Sequence, residues 1–384
     1  MRIIEPRYDG AGITNLPISI AQHFGAATDS EPLFDPLPLS GVDRILLLVV
    51  DGLGQNQLEL HLNEGVMPQL RDGLRQGRWE ARTITSTFPS TTAAALTSLY
   101  TGVSPSRHGR LGFSVFGVKG EVIDLINFAD VSSGGSVPPT DWIGVQPTVF
   151  ELLAPMGVRC VSILPRVLAT STLSRYHSKG AHVSTYDDLA ELRQTMVRET
   201  SGEGPAYVMG YLPNYDTVCH LFGPRSGEAA LAAGMLDELL ADVLRSLRHD
   251  GRTLVLVVAD HGLRSLDTQR AVDMWSDGRL RACLAAPPAG ERTARYLSVR
   301  EGADVALRDA LSGVARVITT DDAWSLGYFG GDAERASYRW RVGSHIALPL
   351  DAAQLLYYEA EALRGGHGGL SPDEMLVPVL LHRS

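Results

Sequence analysis

The sequence predicts a mixed α/β fold: a mostly parallel sheet with helices on both faces, carrying a smaller α/β insert. Three observations carry this. Unbroken apolar runs of strand length stand at Arg44–Val50 (RILLLVV), Ala206–Leu212 (AYVMGYL) and 253–259 (TLVLVVA), the pattern of strands covered on both faces. Helical patterns lie between them, at 148–156 and 227–247, and such alternation argues for parallel strands joined by helical crossovers. Each apolar run then ends in ionisable residues: Asp51 after the first, Asp216 shortly after the second, Asp260 and His261 after the third. Ligands of parallel sheets bind beyond the carboxyl ends of the strands.

Taken in order, residues 1–40 are rich in Gly, Pro and Asp and read as an arm packed over the domain rather than as part of its sheet. A weaker strand is expected at 158–164. Residues 265–348 interrupt the alternation with Pro-Pro-Ala-Gly, Asp-Asp and Gly-Gly turns and a short helix at 303–311, and read as an inserted cap subdomain over the ligand edge. The catalytic-type domain is then 1–264 together with 349–384. In its second part a helix is expected over 351–363, followed by the loop Gly365-Gly-His367-Gly-Gly369 and an apolar strand at 375–381.

With 384 residues, 44% hydrophobic and 20% charged, the chain is long and apolar enough for a large core, and disorder is excluded. Acidic residues outnumber basic ones, 44 to 34, for a net charge of -10. That disfavours a surface that coats nucleic acid, whose affinity comes from Lys and Arg. A small anionic substrate remains possible if the pocket holds something cationic. The lysines are Lys119 and Lys179, each followed by Gly, so the P-loop Lys-Ser/Thr pair of ordinary ATPases is missing. Cys160, Cys219 and Cys283 are too far apart for a CxxC pair and read as reduced, buried thiols. The N-terminal stretch has no apolar h-region, and no run of about 18 apolar residues occurs. Neither export nor membrane insertion is expected, and the cytoplasm is the expected location.

Asp216 and His220 are separated by three residues; if the chain turns helical after Pro213 they share a face and can hold one metal ion together. Alone, such a pair is usually a solvated helix face. Asp260-His261 after a buried strand is more telling, because an ionisable pair there needs a compensating charge. Asp51 before Gly-Leu-Gly could be a plain turn, and His367 among glycines a plain loop. Together, three Asp and three His near one sheet edge match the oxygen and imidazole mixture that suits zinc or manganese. Two such ions would make a dinuclear site. Ser86-Thr-Phe-Pro-Ser-Thr-Thr92 leads into an Ala-rich helix that ends at Gly102, with Ser90, Thr91 and Thr92 as good N-caps. A hydroxyl there is favoured as an alkoxide by the helix dipole, and free N–H groups can hold a phosphoryl oxygen.

The ordered set VVDGLG, FPSTTAAALTSLYTGVSPSRHG, YLPNYDTVCH, VVADHG and GGHGGLSPDEMLVP resembles the alkaline phosphatase superfamily, and within it the nucleotide pyrophosphatase and phosphodiesterase group. The motifs run from Asp51 to Pro378 and so cover the catalytic domain, the insert much less. The resemblance implies that Asp51, Asp260 and His261 bind one metal together with the nucleophile, and that Asp216, His220 and His367 bind the other. Counting back from Thr101-Gly102 selects Thr92 as nucleophile, with Thr91 the fallback. Many family phosphodiesterases hold a phosphoryl oxygen with an Asn shortly after the His-Gly motif; here Phe113 stands at the matching place.

The implied activity is metal-dependent hydrolysis of a small phosphate ester or nucleotide through a phosphothreonine, with zinc, or manganese, as cofactor. Phosphomonoesters and phosphonates are the alternatives within the superfamily, and a non-catalytic metal or nucleotide binding protein is the alternative outside it. Arg107, Arg166 and Arg225 are candidate substrate cations. Phe113, Trp324, Tyr328 and Phe329 are candidates for stacking on a base, a role in which such residues are more often simply core.

Overall fold

In the computed structural model residues 2–142, 146–331, 333–358 and 363–384 are described, the side chains of 333–336 excepted. The main sheet has seven strands: β1 (Arg44–Val50), β2 (Glu80–Thr85), β3 (Arg159–Pro165), β4 (His182–Tyr186), β5 (Ala206–Leu212), β6 (Thr253–Val258) and β7 (Leu376–Arg383). Their spatial order is β2-β7-β6-β1-β5-β3-β4. The pairs β6-β1, β1-β5, β5-β3 and β3-β4 are parallel, whereas β7 runs antiparallel to both of its neighbours. The mostly parallel sheet with helices is thus as expected.

Every residue of β1, β5 and β6 is buried, which is why these strands read as continuous apolar runs. A fully buried Leu, Ile or Val contributes roughly 1.5–3 kcal/mol, so these three central strands anchor the fold. The helix expected at 148–156 is an α-helix at Val149–Leu153 continued by a 3-10 turn, and Thr148 and Glu151 close a capping box at its start. The long helix is Gly227–Ser246, capped by Ser226. No helix among the described residues is long and apolar enough to cross a membrane. All three cysteines are free and buried.

The N-terminal arm carries a buried helix at Asn15–His23, which the sequence reading did not place, and Pro17 stands in its first turn, where a missing N–H costs nothing. The arm meets the main sheet through a bridge from Gly12 to Thr85 and through Arg82, which donates to Asp35 O and Pro36 O. One expectation is corrected, at 351–363, where Gln354–Leu356 is a strand paired in parallel with Ala271–Asp273. The helical propensity of Ala-Ala-Gln-Leu-Leu is overridden there by pairing and by burial of Leu355; residues 359–362 lie outside the described part.

Between β6 and β7 a second, antiparallel sheet forms from Ala289–Glu291, Ala294–Leu297, His345–Pro349 and Ala315–Thr319, in that spatial order. A helix at Asp304–Ala310 packs in the same region. The core under this sheet also takes in Leu111, Val115, Phe116, Phe128 and Trp142, from a segment with no predicted element that carries three short strands. This second core ties the insert to the stretch that follows the Thr92 helix.

Candidate active site

Strand register brings the site together. Val50 pairs with Leu212 and Val49 with Val258, so β1, β5 and β6 end at one level and deliver Asp51, the helix after Leu212, and Asp260-His261 to one edge. Because β7 is antiparallel, its start faces the same edge: Leu376 pairs with Thr85, the last residue of β2. The loop holding His367 enters there, and the chain leaving β2 runs into the Thr92–Thr101 helix.

The segment after Pro213 is the helix Asn214–Phe222, and one turn places Asp216 Oδ2 3.2 Å from His220 Nε2. His367 Nε2 lies 3.2 Å from His220 Nε2 and 3.8 Å from Asp216 Oδ1. His261 Nε2 is 3.4 Å from both Asp51 Oδ1 and Asp260 Oδ2. The His261 and His367 rings stack with centroids 3.8 Å apart. All six sequence-predicted ligand residues therefore meet. The ligand atoms of Asp216, His220 and His367 lie within 4.8 Å of one another, as do those of Asp51, Asp216 and His261, so Asp216 adjoins both groups.

Each imidazole is oriented by a backbone carbonyl. His220 Nδ1 is 2.9 Å from Gly365 O, His261 Nδ1 3.2 Å from Gly262 O, and His367 Nδ1 3.1 Å from Ser90 O. A carbonyl only accepts, so each Nδ1 carries a proton, and in the neutral form each Nε2 presents a lone pair. The facing Nε2 atoms of His220 and His367 then repel each other unless a cation lies between them. The carboxylates make the same demand: Asp51 Oδ1, Asp216 Oδ1 and Asp260 Oδ2 are buried without a hydrogen-bond partner. Among the described residues no Arg or Lys forms an ion pair with any of the three. Imidazole nitrogens and carboxylate oxygens in this arrangement suit a divalent ion such as zinc or manganese.

The electrostatics follow from burial. It raises the Asp51 carboxyl well above its ordinary pKa, with the charges of Asp260 and Asp216 adding to the effect. Asp260 is raised chiefly by burial too. For Asp216 burial is outweighed by the charge and hydrogen bond of His220, which hold it below the usual carboxylate range. Burial lowers His220, yet Asp216 lifts it above the ordinary imidazole value. His367 is pushed far down by burial and then by His261.

Thr92 opens its helix, and its Oγ1 sits 3.1 Å from His261 Nε2. Thr91 is the N-cap residue by backbone, but its side chain makes no capping hydrogen bond. At the other end Gly102 takes the left-handed conformation, φ 70°, where a Cβ would come within 2.3 Å of Ile18. Thr92 faces a cavity of about 400 Å³ whose wall includes Phe113, Ile126, Thr217, Arg292 and Tyr358. Phe113 and Tyr358 are near parallel, with centroids 6.5 Å apart and planes 15° from alignment.

The candidate substrate cations lie elsewhere. Arg107 pairs with Asp29 and Arg166 with Asp187 and Glu191, while Arg225 lines a separate small depression with Asn56 and Asp373. Trp324, Tyr328 and Phe329 are buried in the second core, which takes them out of contact with any ligand of the Thr92 cavity.

The model of the type I phosphodiesterase / nucleotide pyrophosphatase family matches residues 45–304. The chain belongs to that family. The phosphodiesterase fold is shared with solved structures. Murine ectonucleotide pyrophosphatase / phosphodiesterase 5, solved in an inactive form with AMP, superposes with a TM-score of 0.66 at 15% identity over 88% of each chain. Phosphonoacetate hydrolase from Sinorhizobium meliloti superposes with 0.64 at 17% identity over 93% of each chain. Among curated proteins, venom phosphodiesterase of Macrovipera lebetinus is 25% identical over 240 residues, which is 59% of this chain and 26% of that protein. Venom phosphodiesterase 2 of Crotalus adamanteus is 23% identical over 243 residues, 59% and 27% of the two chains. The chain thus spans about a quarter of the length of these curated relatives.

Three features of this phosphodiesterase family member went unseen in the sequence. The Tyr211 hydroxyl donates to Asp51 Oδ2; its only signal was a polar-tipped ring near the end of an apolar strand. Ser90, predicted as a cap, instead donates to Gly369 O and accepts from Gly368 N–H, clamping the loop that carries His367. Arg292 reaches the cavity from the turn after Ala289–Glu291, where nothing in sequence spacing separates it from other surface arginines.

Proposed function

We propose that this chain is a metal-dependent phosphodiesterase or nucleotide pyrophosphatase that acts through Thr92 as nucleophile and a phosphothreonine intermediate. The observation that carries the reading is the convergence of three carbonyl-oriented imidazoles and three partnerless carboxylate oxygens beside Thr92 Oγ1. Asp51, Asp260, His261 and Thr92 Oγ1 would hold one divalent cation, and Asp216, His220 and His367 the second, zinc being the first choice and manganese the other. Three carboxylates and an alkoxide contribute four negative charges, which two divalent ions neutralise. When bound, such ions supply Lewis acidity, lowering the pKa of an adjacent hydroxyl and offsetting charge on phosphoryl oxygens.

The chain's own groups do the rest. The dipole of the Thr92–Thr101 helix favours an alkoxide at Thr92 Oγ1 and a phosphoryl oxygen beside it. Thr92 Oγ1 attacks phosphorus, and the bond to the leaving oxygen breaks on the opposite side, toward Asp216, His220 and His367. Water then enters from that side, cleaves the phosphothreonine and restores the hydroxyl. The cavity wall of Phe113, Ile126 and Tyr358 takes the less polar part of the substrate, and Arg292 contributes positive charge at the wall. The AMP bound by the murine relative is in keeping with a nucleotide as substrate.

Hydrolysis of a phosphonate or a phosphomonoester is the second reading, favoured by Phe113, which leaves no side-chain amide at that place to hold a diester oxygen. A rate comparison decides between them, using a nitrophenyl monoester, a nitrophenyl diester, a dinucleotide and phosphonoacetate, each with added zinc and then manganese. The diester and dinucleotide should react at least about tenfold faster than the others, a difference of about 1.4 kcal/mol in barrier, and chelation should abolish the rate. Fastest turnover of phosphonoacetate would overturn the substrate class; no turnover of any compound would make the chain a binding protein.

A further inference from the structure

The N-terminal arm is tied to segments of the candidate active site that lie far away in the chain. Ile4 N–H donates to Leu370 O at 2.8 Å, three residues after His367. Arg7 N–H donates to Thr85 Oγ1 at 2.8 Å. Thr85 N–H donates to Ala11 O at 3.0 Å and Ile13 N–H to Thr85 O at 2.9 Å, where β2 passes into the stretch that leads to Thr92. The arm is itself held in place. Asn15, 1% exposed, donates from Nδ2 to Tyr8 O at 3.1 Å and to Glu31 O at 2.7 Å, and its Oδ1 accepts the Gly12 N–H.

Tyr8 stands where these ties meet. Its hydroxyl donates to Tyr328 O of the insert at 2.8 Å and accepts the Phe88 N–H at 3.2 Å, using both the donor and the acceptor capacity of a phenol. Phe88 is wholly buried, its ring centroid 5.7 Å from that of Tyr328 and 5.2 Å from that of Phe329. A backbone N–H shut away from water needs a partner, and here the partner is a side chain from eighty residues away. The Tyr8 ring fills its space closely, since a Cβ on Gly330 would come within 2.9 Å of it.

The chain after Phe88 explains why the position of that peptide matters. Ser90, two residues on, orients His367 with its carbonyl and clamps Gly368 and Gly369 with its hydroxyl. Thr92, four residues on, opens its helix with Oγ1 3.1 Å from His261 Nε2. A displaced Phe88 peptide therefore disturbs the orientation of one imidazole and the placement of the Thr92 hydroxyl together. Reacting groups tolerate little of this, a misplacement of about 1 Å costing roughly 100-fold in rate.

We propose that Tyr8 is a positioning residue of this site: its hydroxyl, braced by Tyr328 O, holds the Phe88 N–H and through it sets Thr92 Oγ1 and the His367 ring. The proposal rests on the reading of Thr92 as nucleophile and His367 as metal ligand. The phenol touches neither substrate nor reacting atoms, and its influence runs along residues 88–92.

The test compares the wild type with Tyr8→Phe, which keeps the ring against Gly330 and removes only the hydroxyl. Competition with a metal-binding dye should show zinc held about tenfold more weakly. With a nitrophenyl ester at saturating zinc, kcat should fall about tenfold while KM stays within about twofold. Ser90→Ala supplies a second arm. Because Tyr8 acts through Ser90 on His367, the double variant should hold zinc about as weakly as the worse single variant, whereas independent effects would add. A hydroxyl with only a structural role would lower the melting temperature and leave kcat and zinc affinity as in the wild type. That result, or zinc losses that simply add, overturns the proposal. A wild type that binds zinc yet turns over no ester would sink the catalytic reading instead, with the zinc comparison still deciding the role of Tyr8. A wild type that binds no zinc or manganese overturns both.

Discussion

Thr92 Oγ1 and His261 Nε2 stand 3.1 Å apart, while Thr91, one residue earlier, is 1% exposed and serves as the backbone cap of the same helix. The two hydroxyls therefore separate cleanly in a mutational test. Thr92→Ala should lower turnover by at least about 10³-fold, the scale seen when a nucleophile is removed, with metal content and melting temperature unchanged. Thr91→Ala should keep most of the activity and cost about 1 kcal/mol or less of stability. An inactive Thr91→Ala beside an active Thr92→Ala would move the nucleophile by one residue.

His367 touches both halves of the site, stacked on His261 at 3.8 Å and facing His220 across 3.2 Å. Replacing it with Ala takes one nitrogen donor from the Asp216 group and leaves the partnerless oxygens of Asp51 and Asp260 in place. If the wild type holds the two ions proposed, His367→Ala should bind about one divalent ion per chain, with activity down by about 100-fold or more. Metal analysis after dialysis checks this. Two ions retained in the variant would remove His367 from the ligand set.

Much of this site was readable because its ionisable residues follow apolar runs, where a carboxylate has no reason to be unless it is answered. Asp51 after RILLLVV and Asp260-His261 after TLVLVVA carry that signal in the chain itself, and the DxxxH spacing of Asp216 and His220 needed only a helix after Pro213. What stayed hidden depends on lateral neighbours. Tyr211 reaches Asp51 because β5 lies beside β1 with Val49 opposite Tyr211, a register that no local pattern encodes. His367 arrives only because β7 runs against its neighbours, and an apolar strand looks the same in either direction. The strand at Gln354–Leu356 was misread as helix for a related reason: its fate is set by Ala271–Asp273, more than eighty residues away.

The Tyr211 hydroxyl donates to Asp51 Oδ2 and leaves Oδ1 as the oxygen facing His261. This is a positioning role, since the phenol touches the carboxylate and not the reacting atoms. Tyr211→Phe keeps the ring in the strand and removes only the donor. Loss of such an outer partner should weaken metal affinity by about 10–100-fold, while Thr92 chemistry recovers at saturating metal. Competition with a metal-binding dye measures the affinity. Unchanged affinity would mean that the hydroxyl serves only packing.

Two histidines behind the Thr92–Thr101 helix predict how stability responds to acid. Thr97 Oγ1 donates to Ala93 O and so receives the Nε2 proton of His177, whose ring stacks on Tyr100 at 4.5 Å and 11°. His108 Nδ1 accepts the Arg110 N–H, which leaves its proton on Nε2 toward Ser98. Burial first, and the charge of Arg110 second, hold both folded-state pKa values well below the ordinary 6.5. Above pH 6.5 neither the folded nor the unfolded chain protonates them, and their contribution is constant. Below it the unfolded chain takes up protons that the folded chain refuses. Stability is thereby lost at about 1.4 kcal/mol per pH unit for each imidazole, until the depressed folded pKa is reached. His177→Phe keeps the stacking and leaves Thr97 bonded to Ala93, so it should remove one such slope. Between pH 6.5 and 5.0 the wild type should lose about 2 kcal/mol more than the variant in urea unfolding, a difference that separates this effect from acid release of metal, which both proteins share. Parallel losses in the two proteins would show that His177 is already charged in the folded state.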